Sequence, residues 1–181
     1  MRVLMTGHNG YLGSVMAPEL RSAGHEVTGL DTFFFEGCTL GDDQDAIPAL
    51  RKDVRDIQAA DLQGFDAVVH LAALCNDPVG DLHAEWTYEI NHQASLQLGR
   101  LAREAGVTRF LFASSCSMYG AAGNDDVLTE EAPLKPLTAY AISKVRAEET
   151  LSQLADSSFS PCSCETRRLT GWRHACGPTW C

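Results

Sequence analysis

Tyr140 and Lys144 stand four residues apart in the segment Tyr140-Ala141-Ile142-Ser143-Lys144. That spacing is about one helical turn, so on a helix both side chains share a face. A free tyrosine titrates near ~10; an ammonium held beside it favours the phenolate, lowers that value and makes the phenol a usable base near neutrality. The pair alone arises often by chance. It gains weight from Ser114 and Ser115, which end the apolar run Phe110-Leu111-Phe112, and from the stretch Thr6-Gly7-His8-Asn9-Gly10-Tyr11-Leu12-Gly13 far upstream. In that stretch Gly7 permits a tight turn, Gly10 lets backbone approach a pyrophosphate, and Gly13 lets a helix pack close to a strand. Asp31 follows at about twenty residues, the distance at which a carboxylate receives both ribose hydroxyls of a dinucleotide and repels a 2′-phosphate, which favours NAD over NADP.

These residues require a strand, a glycine turn, a helix and a second strand in that order. Arg2 to Met5 reads as the first strand, and Tyr11, Leu12, Val15, Met16 and Leu20 recur at helical spacing before Gly24, a helix-ending residue. His25 to Asp31 reads as the second strand, with Val27 and Leu30 buried. Residues 32–50 show no periodicity; Phe33-Phe34-Phe35 there suit either the wall of an adenine pocket or a patch covered by other loops or a second subunit. Arg51 to Asp56 is expected to be a short strand and its exit, with Asp53 and Val54 at its end. Asp53 has two readings, an acceptor for an adenine amino group or only a cap. Ala67 to Leu71 is a compact β-rich run and the fourth strand, leading into a polar loop through Asn76, Asp77, Pro78, Gly80 and Asp81. Trp86, Ile90, Ala94, Leu98 and Leu101 trace a helix ending near Gly106, Arg109 to Ser115 is a fifth strand, and residues 137–154 form another helix. A loop carrying Gly120, Gly123 and two prolines joins those last two. Strand and helix alternate throughout, so the expected fold class is α/β, a Rossmann-type doubly wound parallel sheet.

Composition narrows the partners. Twenty-four acids against fourteen bases give a formal charge of -10 in 181 residues, which argues against nucleic acid, since phosphate binding needs a basic face. No window approaches the ~20 apolar residues that span a bilayer, and the N-terminus lacks a signal pattern, so no membrane partner and a cytoplasmic location are expected. Seven cysteines, an odd number, argue against a disulfide framework in such a chain.

In sequence order, TGHNGYLG at 6–13, Asp31, DV at 53–54, HLAA at 70–73, Asn91, SSCSMYG at 114–120 and YAISK at 140–144 resemble the extended short-chain dehydrogenase/reductase family, in its NAD-dependent nucleotide-sugar epimerase/dehydratase branch. The resemblance covers residues 1 to about 160 and implies an NAD-binding Rossmann domain there. It implies that Tyr140 is the general base, that Lys144 holds the nicotinamide ribose and depresses the tyrosine pKa, and that Ser115 hydrogen-bonds a sugar hydroxyl or keto oxygen. Cofactor contacts are implied for Gly7, Asn9, Gly10, Tyr11, Leu12, Gly13, Asp31, Asp53, Val54, Leu71, Ala72, Ala73, Asn91 (also the anchor of the central helix), Ser114, Tyr140 and Lys144. For His70 a strand histidine with a satisfied ring is expected rather than a catalyst. Dehydratases of the branch carry an Asp-Glu pair just after the position of Ser115; Cys116 and Ser117 stand there instead, which points to 4-epimerase-like hydride transfer at sugar C4 on a UDP- or dTDP-linked substrate. The resemblance also suggests a homodimer through helices 86–105 and 137–154. A non-catalytic NAD-binding module is the alternative.

The family pattern stops near Pro161. Residues 161–181 hold four of the cysteines, Cys162, Cys164, Cys176 and Cys181, whose spacing with His174 matches no standard zinc site. Back-translated and read one base out of frame, the stretch permits Phe-Leu-Arg-Asn-Ala-Thr-Ala-Tyr-Gly, the continuation that the resemblance implies. The tail is therefore expected to be an out-of-frame product that lacks a sixth strand and leaves the fifth strand as an open edge, with the substrate domain largely missing and turnover weak or absent.

Overall fold

The computed structural model describes residues 1–38, 47–75, 80, 82–120, 129 and 131–165. Among these residues six strands form one parallel sheet in the order β3-β2-β1-β4-β5-β6. They are β1 (Arg2–Thr6), β2 (Glu26–Asp31), β3 (Ala49–Arg51), β4 (Ala67–His70), β5 (Arg109–Ser114) and β6 (Ser160–Glu165). The strand order reverses between β1 and β4, and ligands of such sheets bind outside the carboxyl ends of the strands at that reversal. The glycine turn leaves β1 there, and residues 71–75 leave β4 beside it.

Side chains alternate across the sheet and build a core on each face. Val3, Met5, Val27, Ala67 and Val69 pack with Met16 and Ala17 of helix α1 (Tyr11–Ser22). Leu4, Leu30, Val68, Phe110 and Phe112 pack on the other face with Leu98, Ala102, Ala147, Leu151 and Phe159. The second face is covered by α2 (Ala84–Tyr88), a π-helical turn (Glu89–Gln93), α3 (Ala94–Glu104) and α4 (Ala139–Ser152). Gly99 brings α3 and α4 together: a Cβ there would lie 2.5 Å from Leu151 Cδ2.

Several expectations need correction. Tyr11 and Val15 are 86% and 58% exposed; α1 meets the sheet through Met16 and Ala17, so its apolar stripe is rotated from the one expected. The third strand is Ala49–Arg51, and Val54–Asp56 is a 3₁₀ turn capped by Asp53. Trp86 is 51% exposed because the π turn changes the helical register; the inward positions run Thr87, Asn91, Ser95, Leu98 and Ala102. Residues 76–79, 81 and 121–128, on which most of two expected loops fall, lie outside the described residues.

The largest correction concerns the sixth strand, which forms. Ser160–Glu165 pairs in parallel with all six residues of β5 from Arg109 to Ser114, so β5 is not an edge, and β6 straddles the expected boundary at 160/161. Two local devices feed it. Asp156 Oδ1 accepts hydrogen bonds from the backbone N–H groups of Ser158 and Phe159 at 2.7 and 2.9 Å, and Phe159 is buried against Phe110. Pro161 lacks a donor and sits in an edge strand, where proline is tolerated. Residues 166–181, including Cys176, Cys181 and His174, lie outside the described residues.

Candidate active site

The glycine turn is shaped by close backbone approach. Gly7 has φ +73°, and a Cβ on it would lie 2.7 Å from the Ala72 backbone nitrogen. Gly10 is the N-cap of α1, with extended backbone. Gly13 packs on the turn itself and not on a strand: a Cβ there would lie 2.4 Å from His8 Cα and carbonyl oxygen. Asp31, at the end of β2, accepts from the Asn9 N–H at 3.0 Å and from the Phe33 N–H at 2.8 Å, tying the turn to the loop that follows β2. Phe33 holds a left-handed φ of 60°, an unusual conformation for an aromatic residue. Its ring meets the His8 ring edge-on and carries the Arg51 guanidinium 4.3 Å from its centroid, whereas Phe34 and Phe35 are exposed. The His8 imidazole lies on Gly29, and burial lowers its pKa against the raising influence of Asp31.

Asp53 caps the 3₁₀ turn Val54–Asp56. Its carboxylate accepts from the Arg55 N–H and pairs with the Arg55 guanidinium at 2.8 to 3.0 Å, which holds its pKa below the usual range. Val54 places its side chain in the core. Leu71, Ala72 and Ala73 are half-buried where β4 opens toward the glycine turn, and Leu12 is half-buried in the first turn of α1.

The opposite wall comes from β5 and α4. Thr138 caps α4 by accepting from the Ala141 N–H at 3.1 Å, which starts the helix so that Tyr140 and Lys144 face the end of β5. Lys144 is only 2% exposed; its Nζ donates to the Ala113 carbonyl at 2.7 Å and lies 4.5 Å from the Phe112 ring centroid and 5.7 Å from that of Tyr140. Burial pulls its pKa down to about 8, against the raising influence of Cys75 and Glu148. Ser115 caps the 3₁₀ turn Cys116–Tyr119, its Oγ accepting from the Ser117 N–H at 3.3 Å and lying 3.0 Å from Ser117 Oγ.

Asn91, at the centre of the π turn, is fully buried. Its Oδ1 accepts from the Leu74 N–H at 2.7 Å, and its Nδ2 donates to the Leu74 carbonyl at 2.9 Å and to Ser143 Oγ at 3.3 Å. Ser143 Oγ donates in turn to the Tyr140 carbonyl at 2.6 Å. Asn91 thus acts on the site through the segment after β4 and through α4. His70 has both ring nitrogens engaged, by Thr6 Oγ1 at 2.6 Å and Ser95 Oγ at 2.8 Å, and burial, reinforced by the Lys144 charge, pushes its pKa down to about 3. Ser95 and Ser143 were not singled out by sequence, and Thr6 only as the first residue of the glycine stretch; the readable signal was Asn91 and Ser95 four residues apart on one face of an amphipathic helix.

The cradle fits a dinucleotide on two counts. Cβ atoms at Gly7 and Gly13 would collide with backbone, so the turn keeps its bare shape. Two buried polar atoms, Asn9 Nδ2 in the turn and Ser114 Oγ at the end of β5, lack a hydrogen-bond partner among the described residues, the mark of groups whose partner is a ligand or water. The described residues contain no cluster suited to a metal, and none of their helices is long and apolar enough to cross a membrane.

Comparison with known proteins agrees with this geometry. A UDP-glucose 4-epimerase of Corynebacterium glutamicum is 33% identical over 165 residues, covering 86% of this chain and 47% of the relative. A Thermus thermophilus UDP-glucose 4-epimerase solved with NAD superposes with a TM-score of 0.79 at 30% identity, over 90% of this chain and 54% of that one. A Streptomyces venezuelae dTDP-glucose 4,6-dehydratase solved with NAD gives 0.78 at 27%, over 91% and 55%. The chain spans about half the length of the relatives it matches. With the NAD dependent epimerase/dehydratase family model matching residues 3–174, past the start of β6, the sheet, cradle and Tyr-Lys wall have a common origin: the chain belongs to that family.

Proposed function

We propose that this chain is the NAD-binding part of a nucleotide-sugar oxidoreductase of 4-epimerase type, with Tyr140 as base. The observation that carries the proposal is the Lys144 ammonium, buried one turn from Tyr140 and anchored on the strand that ends in Ser114 and Ser115. Bound NAD supplies a site that accepts a hydride from the sugar carbon and returns it. Asp31 and the glycine turn would hold the adenosine and pyrophosphate end, with the N–H groups at the α1 N-terminus toward the phosphates. Ser114 Oγ and Asn9 Nδ2 complete the cradle. Lys144 uses one donor on Ala113 and keeps two, which suit a ribose hydroxyl, and its charge favours negative charge on the phenol oxygen. Tyr140 then takes the proton of the sugar hydroxyl as hydride leaves C4, and gives it back after the keto-sugar has turned over. Ser115 Oγ hydrogen-bonds that same oxygen. Cys116 and Ser117, in place of two carboxylates, support epimerisation over dehydration.

The substrate is taken to be UDP- or dTDP-linked, as in the relatives, and exposed Trp86 supports a homodimer through helices 86–105 and 137–154. The half-length match favours a second reading, a module that binds NAD without turnover. The out-of-frame origin of the tail belongs to the same proposal, and the gene sequence past codon 161 tests it. Interconversion of UDP-glucose and UDP-galactose, assayed with NAD, separates enzyme from module. Turnover reduced about 10²-fold or more by Tyr140→Phe is the expected outcome; turnover unchanged in that variant refutes the mechanism.

A further inference from the structure

Segment 71–74 forms the floor between the glycine turn and the Lys144 wall, and one buried hydrogen-bond chain reaches both of its ends. At the near end the Ala72 N–H donates to Thr6 Oγ1 at 3.3 Å, and Thr6 Oγ1 meets His70 Nδ1 at 2.6 Å. From the other side of the ring, His70 Nε2 meets Ser95 Oγ at 2.8 Å, and Ser95 Oγ donates to the Asn91 carbonyl at 2.7 Å. Asn91 clamps the far end through both polar groups of the Leu74 backbone. The chain ends on a backbone N–H, which only donates, and on a backbone carbonyl, which only accepts. The carbonyl end decides: Ser95 spends its one hydrogen on the Asn91 carbonyl, so Nε2 must carry the proton and donate to Ser95, and in the neutral buried ring Nδ1 then accepts from Thr6. A chain with this locked polarity cannot pass a proton along and return; it can only brace.

We propose that His70 is a positioning residue that sets the conformation of segment 71–74 and thereby the shape of the cofactor floor. The inference rests on the cofactor reading above for its functional consequence, though not for the brace itself. Gly7 makes the coupling tight: the site of its missing Cβ lies 2.7 Å from the Ala72 nitrogen, so a shift of Ala72 changes the glycine turn directly.

The test compares His70→Leu with the full wild-type chain by amide hydrogen exchange and NAD titration. The core variant Ile57→Ala, which removes buried carbon and touches none of these bonds, serves as the control for general destabilisation. In His70→Leu without NAD, the Ala72 and Leu74 amides are expected to exchange about tenfold faster relative to those of Met5 and Val69, and NAD affinity to fall about tenfold, the loss of a buried hydrogen bond. Ile57→Ala is expected to change neither ratio. If His70→Leu does not fold, Ser95→Ala and Thr6→Val, which each cut two of the chain's hydrogen bonds, carry the same test. Unchanged relative exchange at Ala72 and Leu74 in folded variants overturns the brace. Faster exchange with NAD affinity no weaker than in Ile57→Ala overturns its role toward the cofactor. Failure of the wild-type chain to bind NAD refutes the cofactor reading, while the exchange ratios still decide the brace.

Discussion

The two sides of the cleft are built on opposite principles. On the β1–α1–β2 side, the cradle is backbone, and its shape depends on side chains that are missing at Gly7, Gly10 and Gly13. On the β5–α4 side, the wall is side chain: Lys144, Tyr140, Ser114 and Ser115 project from ordinary strand and helix positions. The difference predicts how each side fails. Adding atoms to the cradle breaks the fold, whereas removing atoms from the wall leaves the fold and removes the chemistry.

The largest effect is expected at Gly7 and Gly13. Gly13→Val forces carbon into the His8 backbone, and Gly7→Val adds a left-handed β-branched residue to the same kind of collision. Each should cost about 3 kcal/mol or more and abolish the protection that NAD gives against heat; a thermal melt with and without NAD reads both. Lys144→Met breaks the other side in the opposite sense. It removes a buried charge, so stability to urea should rise by about 1–3 kcal/mol, while the turnover proposed for the chain should not be detectable. A Lys144→Met chain less stable than wild type would erase the contrast.

The pH dependence sharpens the same point. Lys144 has its folded pKa pulled from 10.5 to about 8, so between those values the unfolded chain binds the extra proton. The cost of the buried charge is present in full below pH 8 and is relieved as pH rises from about 8 to about 10.5, so this group's contribution to stability increases across that window. The affinity for NAD that depends on the ammonium should fall over the same rise. Titrations at pH 7 and 9, with Lys144→Met as the reference, measure both trends. The smallest effect is expected at Asp156, where hydrogen bonds from Ser158 and Phe159 hold the carboxyl pKa at about 2, below its ordinary 3.8. Its contribution is present above pH 4 and is lost as pH falls toward 2. Asp156→Ala should lower the melting midpoint at pH 7 and by a smaller amount at pH 2, where about half of the carboxyl is protonated in the folded chain.

The backbone cradle was the more readable side, because glycines at fixed spacing followed by Asp31 answer to one backbone geometry, a strand turning tightly into a helix beside a second strand. Tyr140 and Lys144 were readable as a pair through helical spacing. What supports them was not, since Thr6, His70 and Ser95 lie far apart in sequence and meet only when β1, β4 and α3 pack. The direction of the hydrogen bonds needs coordinates. The helix through Asn91 was legible, and its π turn was not; one extra residue in a turn leaves the apolar pattern almost intact while moving Trp86 outward. β6 failed for a different reason. Ser-Pro-Cys-Ser-Cys has no strand pattern, and its pairing is supplied by the backbone of β5, with Asp156 and Phe159 fixing where it starts.

That origin makes β6 a permissive joint. Its register is set by what precedes it and by its neighbour, and little is asked of its own side chains. A protein engineer looking for a place to graft a different continuation onto this domain, or to exchange substrate halves between relatives, has in the stretch after Phe159 a seam where new sequence can be sewn in while the cofactor half keeps its geometry.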